Sequence, residues 1–551
     1  MTIVNIAAAA VSIIIVIYNI VTSRKNKNAE LRNDISDKTY RIILFIGIVV
    51  ALFVRIYKFA QIPYGVNQDG AMAAVDAKAL AEYGTDRFGM DYPVHLTAWR
   101  YGQMSSLLSY LMIPFIKLFG MTAFSIRLPS LIISCVGLIA LFFLAKDSFG
   151  KEFALIAFLF SAINPWHIMQ SRWALDCNLF PHFFIIGIFF LNRGLNKKIY
   201  LYISMVFFGL SMYCYGISIY TIPLFLLSAS IYLLVTKKLK LKHILISALI
   251  YFLIAWPFIA TMVINTFGLP SFKFLIFTIP YFPESQRSSD ILFFSDNIFG
   301  QIFKNCLSLG KCIILQTDNL PWNTINGFGT IYLFSTPFFI LGIYKIFKNK
   351  IKNSSVVFIL IMLLTALFSG IITNNVNINR LNILYYPLIF ITSIGIYYTF
   401  VDKKFFRNIV ALLYVAIFAI FSCTYFTSYA EETKDFFYKD FQDAIVSVSD
   451  DKCKIHITSN VQTNNTANVS EILTLFHIDA DAKYFQGEKK IDGKTFKEKY
   501  SFENIKDMPI NTDNDSLYIV RESEKVFFDK SIFTFEKYGR FYVVKSIGKT
   551  P

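Results

Sequence analysis

The sequence predicts an all-α, polytopic membrane protein with about twelve transmembrane helices, followed by a small α/β domain. Three observations carry that expectation. The 551-residue chain is 55% hydrophobic and 17% aromatic but only 16% charged, far more apolar than a soluble domain of that size. Its apolar runs approach the ~20 residues that a helix needs to cross a bilayer. The lysines and arginines behind its net charge of +16 fall in short clusters between those runs. That is the positive-inside pattern of a membrane protein, not the single basic face of a nucleic-acid binder, and no nucleic-acid partner is expected.

Taken in order, the first apolar run, 3–21, lacks a basic start and a small-residue cleavage site, so it reads as a retained helix rather than a leader. With the loop after it, it forms an extra N-terminal segment, 1–41. The transmembrane domain follows over 42–429, with spans expected at 42–60, 129–145, 152–166, 178–192, 199–215, 217–236, 243–264, 330–344, 354–373, 381–400 and 407–427. Basic loops at Arg24–Arg41, Lys146–Lys151, Arg193–Lys198, Lys237–Lys242, Lys345–Lys352 and Lys403–Arg407 are assigned to the cytoplasm. The short apolar stretch 104–119 carries Pro114 and Lys117 and would invert every later loop if it crossed. It is therefore expected to lie along the outer face, inside one long external segment, 61–128.

The turn 164–178, the loop 265–328 and the turn 374–380 share that outer side, and both the N-terminus and the tail are expected outside the cytoplasm. From 430 the composition turns polar, with alternating runs at Lys454–Thr458, Ser516–Arg521 and Arg540–Lys545, so 430–551 reads as an external α/β domain. The seven cysteines show no ligand spacing; Cys306 and Cys312 share the external loop, and their pairing is left open.

Three outward-facing clusters hold the residues capable of chemistry. The first follows the second helix: Gln68 and Asp69 open an alanine-rich helix that ends at Tyr83 and Gly84, and Asp91, His95, Trp99 and Tyr101 come soon after. Helix capping by Asp69 and Gly84 explains both residues without any reaction. A carboxylate, aromatic faces and cations in one loop are also what deprotonating a sugar hydroxyl and stabilising a departing phosphate require. The second cluster contains Arg172 and Asp176, four residues apart and expected on one helical face, where they form either an interfacial ion pair or part of a site. In the third, Arg380 stands at a helix entrance before Pro387, where a guanidinium beside backbone N–H groups makes an anion clamp.

This layout resembles the GT-C superfamily of polyprenyl-phosphate-sugar glycosyltransferases, in particular the protein O-mannosyltransferase and aminoarabinose-transferase-like group, glycosyltransferase family 39. The resemblance rests on Asp69 in the first long external loop, on Phe119-Gly120 followed by Arg127-Leu-Pro-Ser130, on Ser171-Arg172 with Asp176, and on Arg380-Leu-Asn before Pro387. It implies a GT-C fold and an inverting transfer in which Asp69 is the base and Arg380 and Arg127 serve the donor phosphate. Gln68, Asp91, His95, Trp99, Tyr101, Arg172 and Asp176 would then line the substrates.

The implied partners are the bilayer, a polyprenyl-phosphate-linked sugar, and an acceptor that is a protein, a lipid or a wall glycopolymer. The family often has a second acid directly after the first. Here that position is Gly70, which leaves the use of a divalent cation open. No Gly-rich nucleotide loop is present, so the donor is expected to be membrane-borne. A transporter or flippase would also have many spans but tends to place its charges near the midplane, and a non-catalytic homologue would keep the fold without the reaction.

Overall fold

The computed structural model describes residues 2–22, 35–99, 102–283, 297–402, 404–461, 467–513 and 515–547. Its helices are α1 (Thr2–Thr22), α2 (Asp37–Ile56), α3 (Gln68–Tyr83), α4 (Leu107–Phe119), α5 (Ala123–Phe149), α6 (Lys151–Ala162), α7 (Pro165–Gln170), α8 (Phe180–Gly194), α9 (Lys198–Ser211), α10 (Ser218–Val235), α11 (Leu241–Phe267), α12 (Ile298–Gly310), α13 (Thr336–Lys348), α14 (Ser354–Ile372), α15 (Tyr385–Asp402), α16 (Lys404–Phe426), α17 (Lys439–Ser447), α18 (Ala467–His477) and α19 (Ala482–Gln486). Two hairpins, β1 (His95–Thr97) with β2 (Gln103–Ser105) and β3 (Phe272–Phe274) with β4 (Phe277–Ile279), precede the strands of the tail. The chain divides into two units: Met1–Phe59, Ser130–Ile259 and Gln286–Tyr429 make the first, and Ala60–Pro129, Ala260–Ser285 and Ala430–Pro551 the second.

The first unit is a helical bundle built around α15, which is almost wholly buried, whereas α2 and α16 leave most of their apolar surface bare. Hydrocarbon covers such faces at no cost, and a helix satisfies its own backbone there, so this is a membrane domain. The protein is accordingly a multi-pass membrane protein. α13 and α15 cross so closely that a Cβ at Gly395 would overlap the Phe338 carbonyl and one at Gly342 the Ile391 carbonyl. Glycine at both positions is what lets the two backbones meet.

Nine helices among the described residues are long and apolar enough to span a bilayer. Eight of these nine are among the twelve expected spans, and the remaining four expected spans are shorter helices: α6, α8, α9 and α13, of 12, 15, 14 and 13 residues. Other boundaries differ from expectation. The span placed at 129–145 runs from Ala123 to Phe149, so Arg127 lies inside the helix rather than at its opening. The span placed at 330–344 begins only at Thr336, after the 3-10 turn Leu333–Ser335. The loop 265–328 contains α12, whose Asn305 donates to the Ile371 carbonyl at 2.8 Å. Gly300, Gly310 and Lys304 keep its hydropathy low, yet Ile298–Leu315 is the ninth segment long and apolar enough to cross, where the sequence predicts only an external loop.

In the second unit α3 packs between α4 and α18. Its alanines suit helix formation and keep it slim enough to be buried on both sides. The tail carries a five-stranded sheet in the order β6 (Tyr500–Glu503), β5 (Lys454–Thr458), β7 (Ser516–Arg521), β9 (Phe541–Ser546), β8 (Phe533–Tyr538). β5 is parallel to both β6 and β7, and β9 is antiparallel to β7 and β8. Two of the strands read from alternation have the expected bounds, and the third is displaced by one residue. Tyr518, Val520, Phe533, Tyr542 and Val544 form the core on one face of the sheet.

Candidate active site

Asp69 lies in the first turn of α3, where the positive end of the helix favours a carboxylate. It is not the N-cap that was expected: Asn67, in extended backbone, holds that position, and Gly84 ends the helix in the left-handed conformation at φ 72°. The Trp99 indole Nε1 donates to Asp69 Oδ1 at 2.7 Å. Two turns along the same face, the buried Asp76 carboxylate accepts from Arg87 Nη1 at 2.6 Å and from the Arg87 backbone N–H at 3.1 Å. Arg87 Nη2 in turn donates to the carbonyls of Thr97 at 3.0 Å and Ala98 at 3.2 Å, the two residues before Trp99. Burial raises the pKa of Asp76, and Arg87 pulls against it. Asp86, which accepts the N–H groups of Phe88 and Met90 at 2.9 Å each, is pushed up to about 6 by burial and by the nearby Asp76.

The loop leading to Asp69 is held from behind. Arg127, buried on α5, donates through Nη2 to the carbonyls of Pro63 at 2.8 Å and Gly65 at 2.7 Å. Gly65 has φ +81°, and a Cβ there would run into the Phe437 carbonyl, so only glycine lets the loop pass.

In the first unit Arg172 caps α2. Its Nη1 donates to Val54 and Arg55 at 2.9 and 2.8 Å, and its Nη2 to Tyr57 and Lys58 at 2.8 and 3.2 Å. These are carbonyls that a helix end leaves without intrahelical partners. The expected one-face helical arrangement of Arg172 and Asp176 is not formed. α7 ends at Gln170, and Asp176 starts a 3-10 turn in which its Oδ1 accepts the Cys177 N–H at 2.7 Å. Asn164 and Pro165 start a helix too short to carry both residues on one face. Arg380 is half-buried in the turn before α15; its Nη1 donates to the Asn374 carbonyl at 2.7 Å and its backbone N–H to Asn377 Oδ1 at 3.0 Å.

The family description for dolichyl-phosphate-mannose-protein mannosyltransferases matches residues 105–260. No curated protein sequence matches the chain. Among solved structures, ArnT from Cupriavidus metallidurans in the apo state aligns at 13% identity with a TM-score of 0.54, covering 92% of this chain and 98% of that one. The same protein bound to undecaprenyl phosphate aligns at 11% identity with a TM-score of 0.55, covering 94% and 99%. The chain has a GT-C fold.

On the GT-C scaffold the remaining expected residues are spread more widely. Gln68 sits beside Asp69 in the first turn of α3. Asp91 pairs with Lys273 at 2.7 Å, both about half exposed, on the surface of the second unit. His95 is buried at the start of β1, edge-on to Phe282 at 6.1 Å. Tyr101 lies outside the described residues. Cys306 and Cys312, the two of the external loop, are not joined in a disulfide. Among the described residues no three His, Cys, Asp or Glu side chains gather as a metal site.

Two polar groupings went unread in the sequence. The Asp76–Arg87 pair is one; an aspartate in an alanine-rich helix followed by an arginine one loop later is its only trace. The other is a fully buried chain in the bundle. Arg55 Nη2 bonds His167 Nδ1 at 3.0 Å, and the Tyr386 hydroxyl bonds His167 Nε2 at 3.2 Å and His182 Nδ1 at 2.8 Å. The arginine inside an apolar run is its signal.

Proposed function

We propose that this protein is a membrane glycosyltransferase that moves a sugar from a polyprenyl-phosphate donor to an acceptor hydroxyl on the outer face of the membrane, with inversion, using Asp69 as base. The observation that carries the reading is the Asp69 carboxylate, set at a helix N-terminus and held by an indole N–H. The GT-C fold supports it, and so does the undecaprenyl phosphate bound to ArnT.

In the step, the acceptor oxygen attacks the anomeric carbon and forms the new C–O bond while its proton passes to Asp69. The bond from the anomeric carbon to the phosphate oxygen breaks, and the polyprenyl phosphate leaves with the electron pair. A cation near the departing phosphate stabilises that charge, and Arg380 at the entrance to α15 is assigned the role. Arg127 and Arg172 hold backbone carbonyls and are assigned to positioning instead. In this reading the N-terminus and the tail domain lie outside the cytoplasm, as the basic loops require.

The test supplies radiolabelled undecaprenyl-phosphate sugars in liposomes, with membrane extract as acceptor, to the wild type and to Asp69→Asn. Transfer by the wild type should fall by about two orders of magnitude or more in the variant, with donor binding retained. A wild type that transfers none of a broad donor panel yet moves labelled lipid across the bilayer would make the protein a flippase.

A further inference from the structure

We infer that Arg87 is a positioning residue for Asp69, acting through the Trp99 indole, and that the buried Asp76 carboxylate holds Arg87 in that role. The inference rests on the reading of Asp69 as the base. Asp69 and Asp76 are seven residues apart, two turns, and so share one face of α3. Segment 97–99 is fixed against that face at two points. Arg87 bridges from Asp76 to the carbonyls of Thr97 and Ala98, and the next residue, Trp99, closes onto Asp69.

A fork with donors in fixed directions is needed to hold a carboxylate and two carbonyls at once, which arginine provides and lysine does not. Indole N–H is a donor only, so its bond to Asp69 Oδ1 favours the charged carboxylate over the protonated acid. A staple that merely tied the loop to the helix would end at Arg87 and would not need the tryptophan on the acid. The tail domain adds a third hold, since Gln486 Nε2 donates to the Arg87 carbonyl at 3.0 Å and Phe485 meets Phe88 edge-on.

The test does not depend on activity. Protein labelled with 15N-tryptophan is placed in nanodiscs and its five indole N–H signals are recorded against pH. Trp99→Phe assigns the Trp99 signal and leaves a ring of similar shape. The wild-type signal should titrate with Asp69 and stop titrating in Asp69→Asn. In Arg87→Lys it should move or broaden while the other four signals stay in place, which also shows that the variant is folded. An unchanged Trp99 signal in Arg87→Lys overturns the inference, whatever the protein transfers.

Activity then separates the two readings. With undecaprenyl-phosphate mannose as donor, Trp99→Phe and Arg87→Lys should each lower kcat about 10-fold with KM within about 2-fold, and the acid limb of the pH profile should move to higher pH in both. The double variant should be no more than about 2-fold worse than Trp99→Phe, because both act on one contact. Effects that multiply, or an acid limb that stays put, overturn the inference and leave the base assignment standing. If Asp69→Asn still transfers sugar, the base assignment falls while the spectra decide the positioning alone.

Discussion

Replacing Arg172 separates a binding role from a structural one. Four carbonyls, those of Val54, Arg55, Tyr57 and Lys58, depend on this one guanidinium, at distances between 2.8 and 3.2 Å. Leaving a buried carbonyl without a donor costs about 1 kcal/mol at the low end, and a partly exposed one about half of that; the bonds to Val54 and Arg55 are buried and those to Tyr57 and Lys58 partly so. Arg172→Met should therefore cost about 3 kcal/mol, a large part of the ~5–15 kcal/mol that holds a folded protein together. Lysine keeps the charge but, as a compact ammonium, reaches about half of these carbonyls, so Arg172→Lys should cost about 1.5 kcal/mol. Thermal midpoints in detergent, read by size exclusion after heating, report the loss, and retention of labelled undecaprenyl phosphate reports donor affinity. The expected pattern is poor recovery of folded Arg172→Met, and for Arg172→Lys a lowered midpoint with donor affinity within about 2-fold. Full stability of Arg172→Lys with donor affinity down 10-fold or more would refute the capping argument and put this arginine on the phosphate.

Asp86 should make stability depend on pH. Its pKa in the folded protein, pushed up to about 6, lies above the ordinary aspartate value of 3.8, so its contribution is intact below the unfolded value and is lost as pH rises through 6. Asp86→Asn keeps an acceptor for Phe88 and Met90 and should raise the thermal midpoint over wild type more at pH 8 than at pH 5, by up to about 3 kcal/mol; parallel curves would count against it. Gly395→Ala should push α13 from α15 and cost about 1–3 kcal/mol, seen as a lower midpoint, whereas Gly310→Ala, whose Cβ meets nothing, should be neutral. Removing 430–551 strips α18 from α3, and the truncated chain should be recovered as aggregate rather than as a folded membrane domain.

Long apolar spans were legible because bilayer thickness imposes one length on all of them. α3 was legible from its alanines and Gly84, and β5 and β7 from alternation that matches one buried face of the sheet. α12 was not, because its glycines and lysine leave Ile298–Leu315 the least hydropathic of the nine helices long enough to span. Individual charges were harder. A basic residue near a helix end reads the same in sequence however its guanidinium is used, and only the path of the neighbouring backbone turns Arg127 to two main-chain carbonyls, Arg172 to four and Arg380 to that of Asn374. Asp69 was singled out by its place in the chain, and its role rests on the substitution test above, whereas the Asp76–Arg87 pair depends on a turn whose geometry no residue pattern encodes.

The four buried arginines change what the net charge of +16 means. Arg55, Arg87, Arg127 and Arg172 direct their guanidinium groups at main-chain carbonyls, with at most 2% of each residue exposed. Dissolved ions do not reach them, so the screening that weakens surface attractions at high ionic strength passes them by. Attraction of an anionic lipid to this protein is governed by the smaller set of cations left in contact with solvent. The internal architecture, though rich in charge, is built to be indifferent to salt.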